Sequence, residues 1–214
     1  GYLAVLCDEV FNKENFVNHV ALRTRSPSGF KTVNVGVFES AEYILIYAKN
    51  KKNLKYEQQY EATTYDENYN NYVEDIKDPP NKWGIRPLID VVLGELKLNS
   101  KKEALGKLGK HTLKSITGEY ALNHADQIFR YTEINVDAGK ETLEAKKKSL
   151  KNPTQIIVVK REKYDDRLVL NGKEISFYSK KVREMDGVKQ PTVLLTNIWT
   201  DISWEGIARE GGVT

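Results

Sequence analysis

The spacing of apolar positions changes along the chain, and each change predicts a different element. Residues 2–11 place Leu3, Val5, Leu6 and Val10 at helical spacing, and 15–22 (NFVNHVAL) then read as a strand. The stretch 38–50, FESAEYILIYAKN, carries the run Tyr43-Ile44-Leu45-Ile46-Tyr47 and breaks into Lys49, Asn50, Lys51 and Lys52. A continuous β-branched and aromatic run too short for a helix predicts a buried strand, covered on both faces in an α/β sheet. Further on, Leu88, Ile89, Val92, Leu93 and Leu96 form an apolar stripe that predicts a helix over 85–98. Ser100-Lys101-Lys102-Glu103 is a capping-box pattern, in which Ser100 accepts from the Glu103 amide while Glu103 reaches back, so another helix starts there. Helical stretches are also expected over 118–131 and 140–150, the latter with Lys146, Lys147 and Lys148 on a solvated face.

From Thr154 the period shortens. TQIIVVKREKY and 167–170 predict strands, and Asn171-Gly172 predicts a hairpin turn because both positions tolerate positive φ. Residues 174–183 alternate as the return strand, Asp186-Gly187 turns again, and 192–199 closes a meander. Between the two regimes, Tyr56, Tyr60, Tyr65, Tyr69 and Tyr72 sit near helical spacing among Glu, Asn and Gln. Tyrosines so placed pack one face and keep their hydroxyls wet; a stacking platform for unpaired bases is the alternative, and the surrounding negative charge disfavours it.

With 214 residues the chain can bury a real core, as one domain or one domain with a large insert. The net charge of +3 says less than its distribution: residues 57–95 sum to −6 and residues 96–189 to +8. The second block attracts polyanions where the first repels them. Cys7 is expected to be a buried thiol acting as a small hydrophobe. A lone cysteine forms no internal disulfide, which fits a reducing cytoplasm. No apolar run approaches the ~20 residues of a membrane span. His19, His111 and His124 have no Cys or carboxylate at ligand spacing, so no zinc site is expected. A Ser-His-Asp pattern, a P-loop and a dinucleotide fingerprint are likewise missing.

Two basic regions are candidates for phosphate contact. The segment 23–37, RTRSPSGFKTVNVGV, follows a strand and carries Arg23, Arg25 and Lys31; a long connection and a phosphate-binding loop are equally compatible with it. On the meander, Lys160, Arg161, Lys163, Tyr164, Lys180, Lys181 and Arg183 interleave positive charge with aromatic rings. Basic edges also serve to discourage aggregation.

The block CDEVFNKENFVNHVALRTRS, followed by SAEYILIYAKN and, at the far end, by LTNIWTDISWEGIAREGGVT, resembles adenine-specific DNA methyltransferases, in particular the modification subunits of type III restriction systems. The resemblance covers roughly the first 50 and the last 20 residues. It implies an α/β fold: a partial Rossmann-like methyltransferase sheet with an inserted α+β target recognition domain. The expected division is 1–50 as part of the catalytic domain, 51–195 as the recognition domain (helical over 66–150, with a β meander over 154–199), and 196–214 as the segment returning to the catalytic domain.

In enzymes of that family S-adenosylmethionine donates a methyl group to the amino group of a flipped adenine. The resemblance places the catalytic motif before Gly1 and the glycine-rich cofactor loop after Thr214, so the fragment alone is expected to be inactive and to hold no cofactor. Asp78-Pro79-Pro80-Asn81 approximates the catalytic motif, but Asn81 cannot stack on a base, and the segment follows the 38–50 strand instead of preceding it. It is read as a turn.

Within this framework the DNA contacts are Arg23, Arg25, Lys31, Lys160, Arg161, Lys163, Tyr164, Lys180, Lys181 and Arg183. The implied partners are duplex DNA and a restriction subunit or a second methyltransferase subunit, with no membrane, in the cytoplasm. A non-enzymatic α+β module that meets DNA or an acidic protein is the alternative from another class. An intact enzyme using Asp78 is a third.

Overall fold

The computed structural model describes residues 1–24 and 36–200. The chain is a mixed α and β protein that divides into two compact units, Gly1–Tyr60 with Leu194–Thr214, and Glu61–Val193. Four α-helices occur among the described residues.

The first unit opens with α1 (Tyr2–Phe11), followed by β1 (Phe16–Arg23) and β2 (Ala41–Tyr47). β1 and β2 pair antiparallel from Phe16↔Tyr47 to Arg23↔Ala41, with an irregularity near Phe16 and Asn18. Tyr47 ties the helix to the strands: its hydroxyl donates to Asp8 Oδ1 at 2.6 Å and its ring packs against Phe11 and Phe16.

The expectation of a strand covered on both faces is corrected here. Tyr43 is 63% exposed and Ile44 40%, and β2 is an edge strand among the described residues. No residue of α1 is buried, and Cys7 is half-buried, not enclosed. An apolar run shows that side chains tolerate burial; whether a second layer covers them depends on distant chain.

In the second unit β4 (Asn71–Val73) and β5 (Ile85–Pro87) form a short antiparallel pair. The helices α2 (Leu88–Glu95) and α3 (Lys101–Asn123) follow, then β6 (Ile128–Glu133) and α4 (Lys140–Lys151). β7 (Ile157–Val159), β8 (Arg167–Leu170) and β9 (Lys173–Phe177) complete a six-stranded antiparallel sheet of order β5-β4-β6-β9-β8-β7. A smaller sheet joins β10 (Val182–Met185) and β11 (Val188–Leu194) to β3 (Tyr60–Ala62).

Successive residues of a strand face opposite sides, and β6 uses this to serve two cores. Ile128 packs with Tyr69, Leu88, Val92, Ala121 and Tyr178 beside α2 and α3. Phe129 packs with Val73, Leu170 and Ile175. Ala145 of α4 closes on Ile134, Val159 and Val169.

Local signals that depend on a few residues appear as read. Ser100 Oγ accepts from the Glu103 amide at 3.2 Å, while the Glu103 carboxylate accepts from the Asn99 amide at 2.9 Å, one residue earlier than in the standard box. Asn171 and Gly172 have φ of 46° and 76°, and Asp186 and Gly187 of 52° and 75°, as two-residue hairpins require.

Other expectations are corrected. The helix read over 85–98 begins only at Leu88, because 85–87 is strand β5. The helix read over 118–131 ends at Asn123, and Tyr131 lies within β6, so the region 66–150 is not simply helical. The return strand over 174–183 is interrupted by a 3-10 turn at Tyr178–Lys181, where Tyr178 is buried in the core.

The segment 192–199 does not close the meander by itself. β11 ends at Leu194, and β12 (Ile198–Trp199) pairs parallel with β1 through Ala21↔Ile198 and Leu22↔Trp199. The Ala21 amide donates to Asn197 O at 2.8 Å, and Asn197 Nδ2 donates to His19 O at 3.0 Å. Residues from both ends of the chain thus share one sheet in the first unit.

Candidate nucleic-acid interface

The candidate contacts of the second unit fall into two groups. The loop 160–166 links β7 to β8 and holds its own shape. Lys160 Nζ bonds Asp166 Oδ2 at 2.6 Å, the Arg161 Nε donates to Asp165 O at 2.7 Å, and the Arg161 guanidinium lies 5.3 Å from the Tyr164 ring centroid. The Lys160 hydrogen bond holds the Asp166 carboxyl below the usual carboxylate range. Tyr164 is 73% exposed and Lys163 is exposed.

In the second group, Lys180 and Lys181 sit on the 3-10 turn after β9. Arg183 is on β10, where its Nη1 donates to Lys180 O at 3.3 Å and to the buried Thr192 Oγ1 at 2.9 Å.

β9 runs antiparallel to β8, so the end of β9 lies at the edge of the sheet where β8 begins. The fold therefore brings the 160–166 loop and the 178–181 turn to the same end of the six-stranded sheet. With a side chain 84% exposed, Lys160 forms the kind of ion pair whose net worth is roughly 0–1 kcal/mol, so a phosphate can compete for it. Arg23 is exposed at the end of β1, in the other unit. Arg25 and Lys31, and the 201–214 part of the expected return segment, lie outside the described residues.

Of the tyrosine-rich stretch, Tyr65, Tyr69 and Tyr72 pack inward, whereas Tyr56 is 65% exposed. Tyr69 and Tyr178 lie with ring centroids 4.8 Å apart, Tyr65 meets Tyr178 edge-on at 5.8 Å, and Tyr72 meets Tyr120 at 6.4 Å. Burial pushes the Tyr178 hydroxyl up to about 12. The Asp78 segment is a turn: its carbonyl accepts from the Trp83 indole at 2.7 Å, and a 3-10 turn follows at Pro80–Lys82. No group of three or more His, Cys, Asp or Glu that could hold a metal occurs among the described residues. No helix among them is long and apolar enough to cross a membrane.

Two features escaped the sequence reading. Arg130 on β6 is half-buried, donating to Asp66 Oδ2 at 3.2 Å with its guanidinium 4.9 Å from the Tyr69 ring centroid. A pocket of about 700 Å³ opens between the start of α2, the 65–71 loop and α3. α3 is broken at Gly109 (φ 77°, ψ 164°), and residues from both of its segments line the hollow. Lys110, Leu113, Lys114 and Thr117 follow the one-face spacing of a helix, which was the available signal. Their approach to Glu67 and Asn70 is a matter of tertiary structure.

No protein-family model matches the chain. Over 105 residues, 48% of the chain, it is 29% identical to the probable type III restriction-modification enzyme HindVI Mod subunit of Haemophilus influenzae. The match spans 13% of that subunit's length. Over about half its length, then, this chain is similar to a small part of the Mod subunit of a type III restriction-modification enzyme.

Proposed function

We propose that the chain is part of a site-specific DNA methyltransferase of a restriction-modification system, acting on the amino group of adenine. In this reading the β1–β2–β12 sheet is a slice of a Rossmann-like catalytic domain, and Glu61–Val193 is the inserted target recognition domain. The similarity to a type III Mod subunit supports the system. The observation that carries the DNA-reading role is the gathering of the 160–166 loop and the 178–181 turn, with Lys180 and Lys181, at one end of the six-stranded sheet.

The chemistry of that surface suits a duplex. Lys163 and Lys180 project into solvent, where ammonium groups neutralise phosphates and release counterions. Arg161, anchored through Nε, keeps its outer guanidinium nitrogens for phosphate or for a guanine edge. Phosphate contacts set register, and side chains reaching base edges supply sequence choice.

S-adenosylmethionine is the methyl donor of the proposed parent enzyme and would supply the transferred group. The described residues do not form a holder for it: Gly172 and Gly187 close hairpins, and no glycine-rich loop links a parallel strand to a helix there. Duplex DNA and a restriction subunit are the proposed partners, in the cytoplasm.

Lys160→Glu, Lys163→Glu and Lys180→Glu, combined in the full-length protein, test the surface by DNA binding as a function of salt. The expected result is weaker binding at every salt concentration, with the salt slope reduced by about one unit for each phosphate that is no longer neutralised. Unchanged affinity and slope would reject the placement.

A further inference from the structure

The α2–α3 pocket joins an exposed, lysine-rich rim to an apolar wall. Its walls carry three lysines, Lys101, Lys110 and Lys114, against one carboxylate, Glu67. Glu67 bonds Lys114 at 2.6 Å, while Lys101 and Lys110 make no hydrogen bond or ion pair among the described residues. The Lys114 hydrogen bond holds the Glu67 carboxyl below its usual range, with added attraction from Lys110 and Lys101, so all three cations act on one point. Glu67 is an exposed carboxylate on a wall that carries more positive than negative charge.

The remainder of the hollow is unlike a bare phosphate site. Pro87, Leu88, Ile89, Leu105 and Leu113 give it an apolar wall. At its edge Asn71 Nδ2 donates to Asn70 Oδ1 at 2.8 Å, which leaves an Asn70 amino hydrogen and the Asn71 carbonyl oxygen without partners among the described residues. A flat apolar group with a donor–acceptor edge and an attached phosphate matches all three features, and this is the chemistry of a nucleotide. At about 700 Å³ the pocket is also within the size range of small-ligand sites, roughly 300–1,000 Å³.

We propose that this pocket binds one nucleotide unit, its base against the Leu88–Leu105 wall at the Asn70–Asn71 edge, and its phosphate replacing Glu67 among Lys101, Lys110 and Lys114. The site lies on residues that the DNA-reading surface above does not use and stands independently of it. A free mononucleotide and one nucleotide of a DNA strand present the same chemistry.

Isothermal titration of the whole chain with adenosine monophosphate, adenosine, inorganic phosphate and a short 5′-phosphorylated single-stranded deoxyoligonucleotide tests the assignment. Binding is expected for the mononucleotide, the oligonucleotide or both, and it should be at least about tenfold tighter than for adenosine or inorganic phosphate, since both halves of the site must be filled. Binding of the mononucleotide assigns a free nucleotide as ligand, and binding of the oligonucleotide alone assigns a nucleotide of a strand.

Lys110→Ala with Lys114→Ala is expected to weaken binding by about tenfold or more, and Glu67→Gln to strengthen it by about threefold. Because Glu67→Gln moves affinity in the opposite direction, a folding defect in the lysine variant cannot mimic the pattern. Lys147→Ala, on the exposed face of α4, should leave this binding unchanged. No binding of either nucleotide form, equal affinity for adenosine, or failure of Glu67→Gln to strengthen binding overturns the proposal.

Discussion

Ser149 serves two elements with one hydroxyl. Fully buried on α4, it donates to Lys146 O at 2.9 Å and accepts from the Gly172 amide at 2.9 Å, pinning the helix to the β8–β9 hairpin. Ser149→Ala leaves the buried Gly172 N–H without an acceptor, at a cost of ~1–3 kcal/mol. A lower urea midpoint with an unchanged slope is the expected reading. Gly172→Ala strikes the same joint from the other side, since a Cβ there would lie 2.8 Å from Leu150 Cδ2 on a backbone of φ 76°. The two losses share a partner, so the double variant should lose less than the sum.

α3 is governed by its cap and its break. Ser100→Ala removes the acceptor for the Glu103 amide and should cost ~1 kcal/mol in a denaturant series. At Gly109 the combination of φ 77° and ψ 164° belongs to a region that only glycine occupies without strain. Gly109→Ala is therefore expected to destabilise the protein by ~1–3 kcal/mol. It should also weaken nucleotide binding at the pocket, because the break brings Lys101 to the same hollow as Lys110 and Lys114. The Tyr47 hydroxyl ties α1 to β2 through Asp8 Oδ1 at 2.6 Å and Ala4 O at 3.4 Å, and Tyr47→Phe should speed amide exchange in α1 while leaving α3 unaffected.

At the scale of the whole molecule the two units differ in what they bury. The four apolar core clusters all lie within Glu61–Val193, whereas the described part of the first unit buries only Val20, Leu22 and Thr24. Hydrogen exchange should accordingly protect β6, β9, α2 and the second segment of α3 far more than β1 and β2, and equal protection would contradict this. Strong alkali should disrupt the tyrosine-lined core. Burial raises the hydroxyls of Tyr120 and Tyr178 from 10.0 to about 12. Raised folded-state values mean that their contribution is complete below pH 10 and is lost as pH rises through about 12, so tyrosinate absorbance and loss of tertiary circular dichroism should rise together in that window.

The sequence by itself determined the features that rest on a few neighbouring residues. The Ser100 cap, the Asn171-Gly172 and Asp186-Gly187 turns and the apolar stripe of α2 need no distant partner, because local φ preferences and side chain to backbone hydrogen bonds set them. Only the tertiary structure decided which elements those pieces joined. β2 has the composition of a buried strand yet is an edge among the described residues, the stretch after Asn123 turns from helix to strand once Ile128 and Phe129 supply two opposed cores, and Ile198–Trp199 leaves the meander for β1. The candidate sites divide in the same way. The lysines near 160 and 180 were visible as a cluster of charge, but Glu67 and Lys114, 47 positions apart in sequence, meet only because the 65–71 loop packs against α3. Contacts between such distant residues carry no periodic signal, since they are fixed by how surfaces fit and not by the spacing of residues along the chain.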